Sequence, residues 1–247
     1  MSNFVVGRNA VKNLLVQEKK IFRILLAKNV IRDQKIQEIL YMANVQRISV
    51  DSVDSREIEK IYKDDNHQGI LAYLPNYQYA EIEDILLYAE ELGEMPFVLI
   101  LDELEDPYNF GSIIRTAVGA GVHGIVIANK NQVDITPAVM KVSMGLAEEI
   151  KIAKVSNLVQ IVEKLKKKGV WVIGTHQDAP KSYLEQEYDF PLALVIGNET
   201  RGMARLLKEK CDYFINIPLK NKGIDSLNAS VAGAVIMFNI IAKRQGS

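Results

Sequence analysis

Cysteine occurs once in this chain, at Cys211, so the 247 residues hold no internal disulfide and a cross-linked secreted scaffold is excluded. The three histidines, His67, His123 and His176, stand too far apart for zinc-ligand spacing, and no metal site is expected. Long apolar runs are missing as well. No stretch approaches the roughly 18 residues of a membrane span, and the opening MSNFVVGRNAVKN lacks the charged start and apolar core of a secretory leader. The expectation is a cytoplasmic protein of a reducing compartment with no membrane partner. What remains is ordinary: 48% hydrophobic and 25% charged residues supply a substantial core and exclude disorder as the main state.

Charge nearly cancels, at −1 overall, but it is unevenly distributed. Residues 1–75 carry 12 basic and 9 acidic side chains, residues 76–96 carry none and 6, and residues 97–247 carry 18 and 16. Neutrality therefore comes from the middle stretch, and both flanking parts are mildly basic. That excess permits nucleic-acid binding without demonstrating it.

Hydrophobic periodicity divides the chain the same way. Up to residue 75, β-rich runs (FVVG, FRILLA, RISV, GILAYL) alternate with helical patterns (NAVKNLLVQE, IRDQKIQEILYMA, SREIEKIYK), which reads as a compact α/β unit. Residues 76–96 read as an acidic linker carrying one helix. From 97 to 247 a larger series begins with the strand FVLILD and ends with the helix LNASVAGAVIMFNIIAKR. That last helix is too apolar for a solvated chain end and predicts a homodimer.

One match is a decoy. Gly119, Gly121 and Gly124 spell GxGxxG, but a helical run precedes them and the strand GIVIA follows, the reverse of a dinucleotide-binding turn. A helix end turning into a strand explains these glycines.

Three other segments carry more. DPYNFGSIIRTA, Asp106 to Ala117, follows FVLILD; Asp106 or Asn109 can cap the helix, and Arg115 lies six residues beyond Asn109, so the two side chains can face one ligand. The bland reading of these residues is a cap and a surface charge. LVIGNETRG, Leu194 to Gly202, breaks a buried strand into a polar loop at its C-terminal end, where open α/β sheets bind ligands, although Glu199 equally suits a helix's first turn. In IPLKNKGIDSLNASVA, Ile217 to Ala232, Ser226 and Asn228 stand where the final helix begins, with Ser226 as the expected N-cap.

In this order the three segments resemble the motifs DPxNxGxxxRTA, LVxGxExxG and IPM…SLNxSxA of the SpoU branch (TrmH-like) of the SPOUT superfamily of RNA methyltransferases. Residues 1–75 also resemble the RNA-binding domain of the subgroup that methylates 23S rRNA guanosine at the ribose 2′-hydroxyl, through GRNAV at Gly7 to Val11 and HQGILA at His67 to Ala72. Two departures stand out: Leu219 occupies the usual Met position, and the loop Lys220–Asp225 is one residue longer and more charged than the common version.

The resemblance implies an α/β fold, a parallel sheet with a C-terminal deep trefoil knot, preceded by a small α/β RNA-binding domain. It implies S-adenosylmethionine as cofactor, held by Thr175, Ile196, Gly197, Ile217 and Leu227. Arg115 would take the leading catalytic part, with Asn109, Glu199, Ser226 and Asn228 orienting it, the RNA and the cofactor. A protonated guanidinium has no acceptor lone pair, so Arg115 is expected to pin a phosphate and stabilise the forming alkoxide rather than act as a simple base. Structured RNA is the implied partner, rRNA first and tRNA next. The competing readings are a tRNA 2′-O-methyltransferase of the same family and a non-catalytic RNA-binding or ribosome-assembly protein.

Overall fold

A computed structural model describes residues 3–63, 67–75, 77–221, 223 and 226–246. The chain separates into two compact units, Met1–Gln78 with Asp134–Glu149, and Tyr79–Val133 with Ile150–Ser247.

The smaller unit follows its hydrophobic pattern. Strands β1 (Asn3–Val6), β2 (Arg23–Ala27), β3 (Ser49–Val53) and β4 (Ile70–Leu74) alternate with helices α1 (Arg8–Val16), α2 (Gln34–Val45) and α3 (Ser55–Ile61). They form a sheet in the order β1-β4-β2-β3, with β4 antiparallel to both neighbours and β2 parallel to β3. Asp33 caps α2 through the Ile36 N–H at 3.0 Å, and Asp54 with Glu57 forms a capping box on α3. Helix α1 buries Ala10, Val11, Leu14 and Leu15 in one stripe.

The acidic stretch behaves as part of the larger unit rather than as a spacer. Helix α4 (Ile82–Glu91) turns Ile82 and Ile85 into the core cluster of that unit beside Val98, Val126 and Ala153. Its carboxylates occupy the other face, which is why the stretch looks like a linker when charge alone is counted. Strand β5 (Phe97–Leu101), helix α5 (Pro107–Gly119) and strand β6 (Gly124–Ala128) follow; Gly119, Gly121 and Gly124 mark the end of α5, a left-handed turn and the start of β6.

Next comes a segment the sequence pattern placed in the 97–247 domain. Helix α6 (Pro137–Val142) and the 3₁₀ turn Leu146–Glu148 belong to the smaller unit. Asn13 donates to the Met144 carbonyl at 2.8 Å, Lys19 to the Glu148 carbonyl at 2.6 Å, and Tyr77 to the Ala147 carbonyl at 3.0 Å. Gly145, at φ 83°, packs so closely on α1 that a Cβ would stand 3.4 Å from Leu14.

The chain returns with β7 (Lys151–Val155), α7 (Leu158–Lys167), β8 (Trp171–Thr175), the two-residue β9 (Lys181–Ser182), β10 (Leu192–Ile196), α8 (Arg205–Lys208), β11 (Tyr213–Asn216) and α9 (Ala229–Gln245). The seven-stranded sheet runs β7-β6-β5-β10-β8-β11-β9, and every pairing in it is parallel. Strands β5 and β10 lie at its centre and are buried throughout, as their unbroken apolar runs require. Helix α9 packs on α5 and buries Gly233, Ile236, Met237 and Ile240 while Val231 and Phe238 remain about half exposed.

Candidate active site

The strand order reverses between β5 and β10: from β5 the chain builds outward through β6 to β7, while β8, β10 and β11 lie on the other side. Such a switch point leaves a crevice at the C-terminal ends of the two central strands. Here the loops after β5 and β10 meet. The Asp102 N–H donates to the Ile196 carbonyl at 3.0 Å, and the buried Asp102 carboxylate accepts from the Ala204 N–H at 2.7 Å. Burial raises the Asp102 carboxyl above its usual range, against the opposing pull of that N–H.

The loop after β10 folds back on itself. Asn198 and Gly202 exchange backbone hydrogen bonds of 3.0 and 2.9 Å, and the Asn198 Oδ1 accepts from the N–H groups of Thr200 and Arg201. Gly197 is required at the base of this hairpin, since a Cβ there would sit 2.6 Å from the Gly202 carbonyl carbon and the Met203 nitrogen.

Between this loop, the end of β8, the end of β11 and the start of α9 lies a cavity of about 480 Å³, within the roughly 300–1,000 Å³ of small-molecule sites. Thr175, Ile196, Gly197, Ile217 and Leu227, the five residues expected to hold a cofactor, all line it, as do Glu199 and Ser226. The lining sets Ile196, Ile215, Ile217, Leu227 and Ile236 beside polar side chains, a mixture suited to an adenosyl group, with apolar contact for the base and strand-end peptides in reach of its polar edge. Among the described residues, no cluster of three His, Cys, Asp or Glu is arranged to hold a metal ion.

Glu199 joins the three motif segments. Its Oε1 accepts from Asn109 Nδ2 at 2.6 Å, from Asn228 Nδ2 at 2.7 Å and from the Ala229 N–H at 3.2 Å. Asn228 Nδ2 also donates to Asn109 Oδ1 at 2.9 Å. Residues 109, 199 and 228 are thus one hydrogen-bonded cluster, with Oε2 of Glu199 left without a donor among the described residues. Asp106 caps α5 through the N–H groups of Tyr108 and Asn109, which fixes Asn109 at the first turn.

Two expectations need correction. Ser226 does not cap α9; Asn228 does, accepting from the N–H groups of Ser230 and Val231 at 3.0 and 3.4 Å, while Ser226 precedes the cap. Nor do Arg115 and Asn109 lie on one face of α5. Six residues rotate about 600° along a helix, which leaves the two side chains roughly 120° apart. Arg115 is exposed, does not line the cavity and makes no hydrogen bond or ion pair among the described residues.

The lining also includes His176, Asn198, Arg201 and Asn216, which the motif pattern did not single out. Asn198 and Arg201 fall at variable motif positions, and only their place in a strand-end loop could have marked them. His176 follows Thr175 directly; its Nδ1 accepts the Asp178 N–H at 3.2 Å. Leu219 lines the cavity too, whereas Lys222, Ile224 and Asp225 of the longer loop lie outside the described residues.

A parallel sheet with a partly apolar cavity and an anchored carboxylate at its switch point defines an α/β enzyme that holds a nucleoside-sized ligand. The SpoU rRNA Methylase family model matches residues 96–238, and the model for RNA 2′-O ribose methyltransferase substrate binding matches residues 4–80. A Bacillus subtilis protein assigned to the TrmH family of tRNA/rRNA methyltransferases, YacO, is 42% identical over 242 residues, covering 98% of this chain and 96% of its own. Among solved structures, AviRb of Streptomyces viridochromogenes, a SpoU methyltransferase in complex with AdoMet, shares the fold at a TM-score of 0.80 with 20% identity, over 100% of this chain and 92% of that one. An AdoMet-bound rRNA methyltransferase of Sinorhizobium meliloti aligns at 0.77 with 25% identity, over 99% and 87%. The chain belongs to the SpoU family of RNA methyltransferases.

Proposed function

We propose that this chain transfers the methyl group of S-adenosylmethionine to a ribose 2′-hydroxyl of structured RNA, with a guanosine of 23S rRNA as substrate. The cluster of Asn109, Glu199 and Asn228 at a cavity walled by Ile196, Gly197, Ile217 and Leu227 carries this reading. S-adenosylmethionine, when bound, supplies a methyl group on a sulfonium. Thr175, Ile196, Gly197, Ile217 and Leu227 hold it. As the O–C bond forms and the S–C bond breaks, the hydroxyl must lose its proton, and Glu199 Oε2 is the acceptor this site offers. Asn109 and Asn228 fix the other oxygen, so the carboxylate is oriented before substrate arrives. Ser226, at the cavity edge, orients substrate or cofactor.

Arg115 enters this reading from the outer face of α5. Tyr108, seven residues earlier on the same face, is exposed, and α9 beside it exposes Val231 and Phe238. An apolar face of this kind supports a homodimer in which Arg115 serves the partner's site, pinning a phosphate and stabilising the alkoxide. The deep trefoil knot fits the parallel sheet and the way Ile217, Leu219, Ser226 and Leu227 line the cavity together with the 197–202 loop. The mildly basic residues 1–75 hold the RNA by shape and phosphate contact, and the protein works in the cytoplasm.

Mapping 2′-O-methyl sites in 23S rRNA and tRNA from cells with and without the gene tests this directly. Loss of one guanosine 2′-O-methyl in 23S rRNA is expected. Loss of a tRNA mark alone would move the substrate, and no lost mark would remove the activity. Light scattering at micromolar concentration tests the dimer.

A further inference from the structure

Glu103 lies two residues beyond the end of β5 and adopts φ 57°, a left-handed backbone conformation that a side chain with a Cβ rarely takes. Strain of this kind persists where the surroundings hold it, and here they do from several sides. The Glu103 carbonyl accepts from Asn198 Nδ2 at 2.7 Å. Its carboxylate accepts from Asn131 Nδ2 at 3.0 Å through Oε1 and pairs with Arg201 Nη1 at 3.4 Å through Oε2. Arg201 holds Glu105 as well, at 2.5 Å. The next residue continues the pattern: the Leu104 N–H donates to Gln132 Oε1 at 2.9 Å, and its carbonyl accepts from Val133 at 2.9 Å.

Glu103 therefore stands between segment 131–133 and the loop 198–202, and it grips that loop at both of its arms. That loop carries Glu199 to Asn109 and Asn228 and forms one wall of the cavity. We propose that Glu103 is a positioning residue for the methyl-transfer site: its left-handed backbone and its contacts with Asn131, Asn198 and Arg201 set the loop that holds the cofactor and presents Glu199. It does not line the cavity itself. The strained backbone is retained because it aims the carbonyl at Asn198 and the carboxylate at Arg201 together. This rests on the assignment of the cavity to S-adenosylmethionine.

The test uses the full chain, calorimetric binding of S-adenosylmethionine and thermal melting, with Glu103→Gly, Glu103→Asn, Arg201→Gln and the Glu103→Gly/Arg201→Gln double variant. Glycine relieves the left-handed backbone, which offsets its greater freedom in the unfolded chain and part of the loss of the contacts to Asn131 and Arg201, so its melting temperature should stay within about 4 °C of the parent. The dissociation constant should nevertheless rise about fivefold or more, because contacts to a charged group are lost. Glu103→Asn, which tolerates the same backbone region, should show the same loss and keeps the test open where the glycine variant folds poorly. Residues acting through one loop are non-additive, so the double variant should bind within about twofold of the weaker single variant. Parent-like affinity in a folded Glu103 variant overturns the proposal, as do affinity losses that simply multiply. A parent chain that fails to bind S-adenosylmethionine overturns the cavity assignment itself.

Discussion

Asn228 does two jobs with one carboxamide, and two substitutions separate them. Its Oδ1 caps α9 by accepting from Ser230 and Val231, and its Nδ2 donates to Glu199 and Asn109. Asn228→Ala removes both. Loss of an Asn cap costs about 1 kcal/mol, and the lost donors, at an exposed position, add roughly another 1 kcal/mol. At about 2–4 °C per kcal/mol for a chain of this size, the melting temperature should fall by about 4–8 °C. Asn228→Asp keeps the cap oxygen and adds a negative charge where the helix dipole favours one. It replaces the donor 2.7 Å from Glu199 with a second carboxylate, so the cluster breaks by like-charge repulsion. The aspartate variant loses the donors but keeps the cap and gains a favourable charge at the helix start, so it should melt about 2–4 °C below the parent and above the alanine variant, yet both variants should transfer methyl about 10²-fold more slowly. Thermal scans and transfer of labelled methyl to a 23S rRNA transcript measure the two effects. An Asn228→Asp protein with parent turnover, or turnover that simply tracks melting temperature, would refute the argument.

Arg115→Ala should lower methyl transfer by about 10²–10³ with cofactor affinity within a few-fold, and Arg115→Lys should rescue little because the planar fork is lost. If Arg115 serves the partner's site, mixing Arg115→Ala with Glu199→Ala protomers should restore part of the activity that neither has alone; no recovery in verified mixed dimers argues for action within one protomer. His123 is buried, accepts the Phe97 N–H at 2.9 Å through Nδ1, and is held below its usual imidazole range chiefly by burial, with Glu94 opposing. The unfolded chain therefore binds this proton first as pH falls below about 6.5, so stability is lost from there down to the depressed folded value, and His123→Asn should flatten that part of a denaturant-melt pH profile. Deleting residues 1–78 alone should yield an aggregating protein, since Val139, Met140 and Ala147 lose their cover, whereas also replacing residues 134–149 with a Gly-Ser linker should give a soluble chain that binds S-adenosylmethionine in calorimetry.

The seven elements of the first 75 residues were legible because each is a short apolar run or a helical periodicity of a full turn or more, and the chain marks some of their starts, as Asp33 and Asp54 do for α2 and α3. The same holds for β5 and β10, whose unbroken apolar runs can only be buried. Helix α6 and strand β9 were not legible. Six and two residues give no period to read, and what holds residues 137–148 in place is a set of contacts with Asn13, Lys19 and Tyr77 that lie more than a hundred or some seventy positions away. Composition misled at residues 76–96: six carboxylates marked a linker, but the apolar face of α4 at Ile82, Ile85 and Ala89 fits the larger core. The three segments that meet at Glu199 were each legible, since every one combines a strand end with polar residues at a helix start. Their meeting was not, because no spacing within one chain says that residues 90 or 119 positions apart share a hydrogen bond.

Helix α5 shows why the motif had to be read through geometry. Asn109 and Arg115 belong to one short sequence, yet the helical repeat sends them to different faces, one toward Glu199 and one outward. A helix that presented its polar groups to one surface would space them three or four apart, on a single face. Spacing of six serves two surfaces instead. The inward Asn109 is held by the Asp106 cap and by Glu199, whereas Arg115 has no partner among the described residues and keeps its guanidinium available. A cation kept unpaired beside exposed Tyr108, Val231 and Phe238 makes sense if a second chain covers that apolar face and brings an anion to the arginine. The pair of residues in one motif would then divide between two active sites, which ties catalysis to assembly through the pitch of a single helix.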